Sequence, residues 1–319
     1  WQEGAGLWTD GRYFIQAEKE LAGTTVELFR MQDEGVPTLL EFLQKNMTAG
    51  QTLGFDGRVV PMSQGINYEK ELKGMSFAYE KDLAETIWTD RPKFPAGKVT
   101  VLDEKLAGKS FEEKREEVIK KVKEEGADSL LLTKLDDIMW LFNIRGCDVE
   151  CNPVAMSYAW LTEKETVLFI QGEAMDETVR RYLAAKQAEV KEYGTAVEYL
   201  KGLPSGRKVL VYKRHCSYAL YKVMDGRQTV VKKNNPTELL KAVKNPTELA
   251  NMEQIYLKDS VALTKFIYWL KTNIGKQEIT EITAADKLEK LRREIPEWVD
   301  LSFPSISAYG PNAAMMHYE

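Results

Sequence analysis

The residues of this chain that could do chemistry are few and widely separated. His215 and His317 are the only two histidines among 319 residues. His317 stands near the end of "SFPSISAYGPNAAMMHYE", where Ser305, Ser307, Gly310, Pro311, Asn312, Ala313 and Ala314 lead into it. An imidazole delivered by a Gly-Pro-Asn turn is placed as an acid-base group would be, because its ordinary pKa of about 6.5 lets it hold or release a proton near neutral pH. Taken alone, a histidine that only satisfies buried polar groups fits the same spacing. His215, in "YKRHCS", reads as a strand-end or surface histidine. Asp136 and Asp137 are adjacent carboxylates beside an apolar run. On a strand such neighbours point to opposite faces, so they are not expected to share an ion. Cys147 and Cys151 have no nearby His or third Cys to complete a tetrahedral zinc site and read as structural thiols. Arg145 lies in the turn-rich loop "FNIRGCDVECNP". A guanidinium there could pair with a carboxylate in a cleft, which makes Arg145 the substrate-proximal candidate, beside the plainer reading of a strand-to-loop turn. No clustered set of Asp, Glu and His is visible, and no metal ligand is assigned.

Composition narrows the setting of these groups. The chain is 44% hydrophobic and long enough for two or three domains, each with its own core. A formal net charge of -5 and a pI near 5.5 leave no basic face for nucleic acid. Three cysteines, an odd number scattered through the chain, suit free thiols in a reducing compartment and a cytoplasmic location. There is no apolar run of about 18 residues to span a membrane, and the start has neither the charged nor the apolar region of a signal peptide. "WQEGAGLWTDGRYF" lacks an initiator Met and already alternates like a strand, so the chain is expected to begin inside a domain.

The elements that must position the candidates follow from periodicity and punctuation. "GAGLWTDGRYF" predicts a hairpin about an Asp10-Gly11 turn, followed by a short helix through "QAEKE" and a strand at "TTVELFRM". Pro37 opens a helix carrying Leu39, Leu40, Phe42 and Leu43, and "QTLGFDGRVV" returns to strand. Pro92 and Pro95 in "IWTDRPKFPAGK" mark a linker, with a first segment over residues 1–98. Over 99–233, Ser110 and Glu113 form a capping box, Gly126 ends that helix, and "DSLLLTKL" is a buried strand. "YAWLTEKETVLFI" predicts a hairpin about 162–166, then a helix near 176–191 and a strand at "RKVLVYKRHCS". Over 234–319, Asn235-Pro236 and Asn245-Pro246 each open a helix. The second of these is long, with Ile255, Val261, Leu263, Phe266 and Ile267 as its apolar face, and another helix follows, capped by Thr280 or Thr283.

Six blocks in order, "WTDGRYF", "IWTDRP", "LDDIMWLFNIRGCDVECNPVAMSYA", "AVKNPTE", "EITAADKLE" and "DLSFPSISAYGPNAAMMHY", resemble Xaa-Pro aminopeptidases (aminopeptidase P) of the creatinase and prolidase superfamily. The resemblance runs from Trp8 to Tyr318. It implies an α/β chain of tandem creatinase N-terminal-like domains, each a mixed sheet flanked by helices. The first is incomplete, and the second is followed by the opening helices of a "pita-bread" metallopeptidase domain. It implies peptide substrates with proline second, cleaved with two divalent ions, usually manganese, held by two Asp, one His and two Glu. His317 matches the family's active-site histidine, which can donate a hydrogen bond or move a proton. All five ligands fall after that block in the family, so the 319 residues alone are expected to hold no catalytic metal and to be inactive. A non-catalytic scaffold or interaction module of creatinase-like domains is the alternative, and a homodimer stays open as an assembly.

Overall fold

The computed structural model describes residues 4–318 apart from Thr86 and His317. Its chain falls into two compact units, one formed by residues 1–51, 71–75 and 255–319, the other by 52–70 and 76–254.

The first unit opens with β1 (Ala5–Thr9), α1 (Phe14–Glu20), β2 (Val26–Arg30) and α2 (Leu39–Asn46). The expected hairpin is not formed: β1 pairs with β2 in parallel, Trp8 opposite Phe29, and α1 is the crossover that parallel strands require. The local cause lies at Asp10. Arg12 folds back to donate from Nε and Nη2 to its two oxygens at 2.8 Å, and Tyr13 N–H bonds the Asp10 carbonyl, so the chain turns into a helix. The rings of Trp8 and Phe29 stack at 4.0 Å and meet Phe42 edge-on, while Trp8 Nε1 donates to Pro37 O. Thr38 and Glu41 close a capping box at the head of α2.

The second unit begins with β3 (Thr52–Gly54), α3 (Met62–Glu71) and β4 (Ser76–Ala78), β3 and β4 being parallel neighbours. Next come β5 (Thr100–Val101), α4 (Glu104–Ala107), α5 (Phe111–Glu124), β6 (Ser129–Leu132), α6 (Leu135–Phe142) and β7 (Ile144–Arg145). The run continues through β8 (Ser157–Thr162), β9 (Thr166–Ile170), α7 (Glu177–Ala185), β10 (Glu189–Glu192), α8 (Ala196–Gly202), β11 (Lys208–Val211), α9 (Tyr218–Met224), β12 (Thr229–Lys232) and α10 (Pro236–Ala242). Six strands form one mixed sheet in the order β10-β9-β8-β6-β11-β12, in which β8 runs antiparallel to both neighbours and the other pairs are parallel.

Alternation along these strands builds a core on each face. Leu130, Leu132, Ala159, Leu161, Leu168, Ile170 and Leu210 face one side, against α5, α6 and α7. Leu131, Trp160, Val167, Phe169, Val209 and Val211 face the other, against α8, α9 and Met62 of α3. A sheet covered on both faces explains why "DSLLLTKL" and "ETVLFI" read as unbroken apolar runs. The capping box of Ser110 and Glu113, the left-handed Gly126 and the β8–β9 hairpin stand as expected. The helix expected near 176–191 ends at Ala185 and gives way to β10.

The chain then enters α11 (Pro246–Asn273) and, in the first unit, α12 (Glu281–Arg292). Asn245 Oδ1 accepts from Glu248 N–H and Asn245 N–H donates to Glu248, completing a capping box, whereas the side chain of the buried Asn235 makes no such bond. Along α11 Ala262 is buried and, of the expected apolar face, Phe266 is half-buried while Ile255, Val261, Leu263 and Ile267 are each at least 39% exposed. Among the described residues no helix is long and apolar enough to cross a membrane.

Candidate functional site

His317 itself lies outside the described residues; the segment that leads to it does not. Gly310 takes a left-handed φ of 57°, a conformation glycine adopts at least cost, and starts the 3-10 turn Gly310–Ala314. One carboxylate gathers this segment. Glu281, the first residue of α12, accepts from Tyr309 N–H, from Asn312 Nδ2 at 3.1 Å and from the Tyr318 hydroxyl at 3.0 Å. Asn312 Nδ2 also donates to the Tyr318 oxygen at 2.9 Å. The Tyr309 N–H, with help from Tyr318 and Asn312, holds the Glu281 carboxyl below its usual range, and the bond to Glu281 raises the Tyr318 phenol above its own. Beside the segment a cavity of about 440 Å³ is lined by Tyr13, Gln16, Lys19 and Glu20 together with Met315, Met316 and Tyr318.

Asp136 and Asp137 are corrected in one respect. They sit not on a strand but in the first turn of α6, so both carboxylates reach the same side and share a cation, the ammonium of Lys241. Lys241 Nζ is 2.7 Å from Asp137 Oδ1, and the buried Thr237 hydroxyl donates to Asp137 Oδ2 at 2.9 Å. Burial works against charge at Asp136, yet Lys241 outweighs it and keeps that carboxyl below its usual range. This cluster fastens α10 to α6. His215 follows the end of β11, partly exposed, with Nε2 3.9 Å from Glu238.

Arg145, on β7 opposite Thr100, is mostly buried, and its Nη1 donates to the carbonyls of Ile144 at 2.9 Å and Met139 at 3.3 Å. Burial pushes its pKa down, against the pull of Glu248. The loop after it is stitched by Asp148, whose oxygens accept from Gly97 and Met156 N–H at 2.6 Å. A Cβ at Gly146 would lie 2.6 Å from the backbone of Ala155, so the close approach needs glycine. Cys147 and Cys216 are free thiols, as expected, and burial pushes that of Cys216 up to about 12.

Three side chains escaped the sequence reading. No local pattern distinguishes Glu281 or Lys241 from the other charges of their helices. Lys114 lies on the apolar stripe with Phe111, Val118 and Val122, a position where the pattern calls for hydrocarbon, and this was its one signal. It is fully buried, donating to Asn143 Oδ1 at 2.6 Å and Trp140 O at 3.0 Å, and desolvation lowers its pKa to about 8.

Among the described residues no group of three or more His, Cys, Asp or Glu is gathered closely enough to hold a metal ion. The adjacent pair Asp136-Asp137 is already occupied by the ammonium of Lys241, which contacts both carboxylates. The residues described do not fit a dinuclear metal centre, and no chemical step is assigned to one here.

Comparison with known proteins sets this geometry among relatives. Two matches to the creatinase/prolidase N-terminal domain cover residues 2–91 and 90–248, and a match to metallopeptidase family M24 covers 250–319. A probable Xaa-Pro aminopeptidase P of Coprinopsis cinerea is 34% identical over 98% of this chain and 53% of its own length. One of Tuber melanosporum is 36% identical over 100% of this chain and 54% of its own. The crystal structure of X-prolyl aminopeptidase from Caenorhabditis elegans, described as a cytosolic enzyme with a di-nuclear active site, superimposes with a TM-score of 0.92 at 32% identity, covering 99% of this chain and 53% of that one. The chain thus spans about half the length of the relatives it matches.

Proposed function

Because the chain belongs to the Xaa-Pro aminopeptidase family of the creatinase/prolidase superfamily, we propose that it forms the tandem N-terminal domains and the opening of the M24 domain of an enzyme that releases the first residue from peptides with proline second. The observation that carries this reading is the succession of creatinase-type and M24 matches over residues 2–91, 90–248 and 250–319, together with the similarity to an X-prolyl aminopeptidase structure over 99% of the chain.

In this reading the domains run over residues 1–98, 99–233 and 234–319. His317 is the catalytic residue held by the closing segment: its imidazole hydrogen-bonds the scissile carbonyl as charge develops, or passes a proton to the departing proline nitrogen. Arg145 is the substrate-proximal candidate, its guanidinium facing a substrate carboxylate only if it leaves a backbone carbonyl. Two divalent ions, manganese by the family's habit, belong to M24 residues other than those described. These 319 residues alone neither bind them tightly nor hydrolyse peptides. The location is cytoplasmic, and a homodimer stays open as the assembly. The exposed apolar residues of α11 favour one further reading, a non-catalytic interaction module.

The test is an assay of a chain extended through a whole M24 domain, on Xaa-Pro and Xaa-Ala peptides, after chelation and after return of Mn2+. Selective, metal-restored cleavage of the Xaa-Pro bond is expected, and His317→Ala should lower kcat by about 10²- to 10⁴-fold with the melting temperature kept. No cleavage at any metal concentration would leave the interaction module standing.

A further inference from the structure

Helix α12 does not need the carboxylate of Glu281. Its cap is closed by two threonines: Thr280 Oγ1 accepts from Thr283 N–H at 3.1 Å, and Thr283 Oγ1 accepts from Thr280 N–H at 2.8 Å. A carboxylate at the first helical position is normally worth only its modest attraction to the helix dipole. Here it instead collects three donors from a segment 28 to 37 residues further on. Two of the donors, Tyr309 N–H and the Tyr318 hydroxyl, bracket the 3-10 turn and the Met315-Met316-His317 run that follows it. The third, Asn312, lies inside the turn and ties Glu281 to Tyr318 a second time. An ionised carboxylate accepts at both oxygens and donates nothing, so it alone among side chains of this length can take all three.

We propose that Glu281 is a positioning residue for the closing segment, holding Tyr309, Asn312 and Tyr318 together around the turn that leads in sequence to His317, beside the adjoining cavity. The role in the reaction rests on the function proposed above; the role in holding the segment does not. Glu281→Gln keeps the length but replaces one acceptor oxygen with an amide that faces the Asn312 amide, donor against donor. Glu281→Ala removes every bond and leaves the threonine cap intact.

Two measurements separate the cases. In the present chain, amide hydrogen exchange of residues 309–316 should quicken at least about tenfold in Glu281→Ala, while the amides of α12 keep their rates. Unchanged exchange in 309–316, or equal loosening of α12, would overturn the holding role. In the extended chain, Glu281→Ala should lower kcat for Xaa-Pro peptides about 10- to 100-fold with KM within about threefold, the pattern of a misplaced group. Glu281→Gln should fall between Ala and wild type, and Asn312→Ala should add little to Glu281→Ala because both act through one network. A kcat that tracks only the melting temperature, or a loss confined to KM, would overturn positioning. A wild-type extended chain that cleaves no Xaa-Pro peptide would sink the function and the catalytic part of this proposal together, with the exchange result still deciding whether Glu281 holds the segment.

Discussion

Lys114 is an ammonium on a helix face otherwise made of hydrocarbon, and its surroundings explain how it survives there. The Trp140 carbonyl and the Asn143 side chain, both at the C-terminal end of α6, take two of its protons, and the Trp140 ring lies 4.8 Å from Nζ. Desolvation still lowers its pKa from 10.5 to about 8. Below pH 8 folded and unfolded chains both carry the proton, and the cost of burying the charge is borne in full. Above about 8 the folded chain releases the proton first, so this residue's contribution to stability rises with pH until the unfolded chain titrates as well. Cys216 acts the other way above about 9, since its buried thiol stays protonated up to about 12. The comparison of wild type with Lys114→Met between pH 7 and 9 therefore isolates the lysine. Wild type should gain about 1 kcal/mol relative to the variant over that interval, read by urea unfolding. Parallel pH profiles would refute it. At this scale the sequence was least legible. Position 114 betrayed itself only by breaking a periodicity, and Lys241 and Glu281 gave no sign at all, because their partners stand 104 and 28 or more residues away. His317 was legible only through the block around it.

Gly65 shows how one absent methyl sets an element in place. It sits in α3, and a Cβ there would overlap the ring of Tyr218 in α9, which is fully buried and donates to Glu69 Oε1 at 2.6 Å. Phe55 and Tyr79 complete the aromatic cluster around that ring, at 5.5 and 5.0 Å between centroids. Gly65→Ala should thus cost roughly 1–3 kcal/mol from overpacking in spite of alanine's better helix propensity. Gly202, at the end of α8 with nothing within 4 Å, is the control: Gly202→Ala should be neutral or stabilising by up to about 1 kcal/mol. A Gly65→Ala midpoint at or above wild type in urea would sink the argument. Elements were the most legible level, for a physical reason. Caps such as Ser110 with Glu113 and runs such as "SLLL" are decided by near neighbours and by burial on both sheet faces. The hairpin at Asp10 was misread because its outcome depended on β2, a partner beyond the local window. The pair Asp136-Asp137 was misplaced for a similar reason, since a strand and the helix directly after it share one apolar run.

Across the whole molecule, burial is unevenly shared. Among the described residues the first unit contributes Ala17, Phe29, Leu72, Ala262, Ala284 and Leu291 to the buried apolar set, and the second contributes all the rest. Stability should be distributed likewise. Limited trypsin digestion is expected to leave a resistant core that includes residues 99–233 and to cut first among residues outside the second unit. Loss of 99–233 with intact flanks would contradict this. The succession of domains was visible from six collinear blocks. The membership of β3, α3 and β4 in the second unit was not, since it rests on side-chain packing such as Met62 against the α9 face, which no local pattern announces.

The place of β8 in the sheet also sets a clock. β8 and β9 are joined by a short turn and pair along nearly their whole length, so they can meet within about microseconds of collapse. The contact of β11 with the β6 edge must wait for a loop of 80 residues to close, as the bond from Lys208 N–H to Asp128 shows. The sheet should therefore grow outward from a preformed ribbon, with the parallel side arriving last. In stopped-flow folding, Leu168→Ala should slow refolding in proportion to the stability it removes, whereas Val209→Ala should chiefly speed unfolding. The reverse pattern would mean that the distant strands organise the chain first.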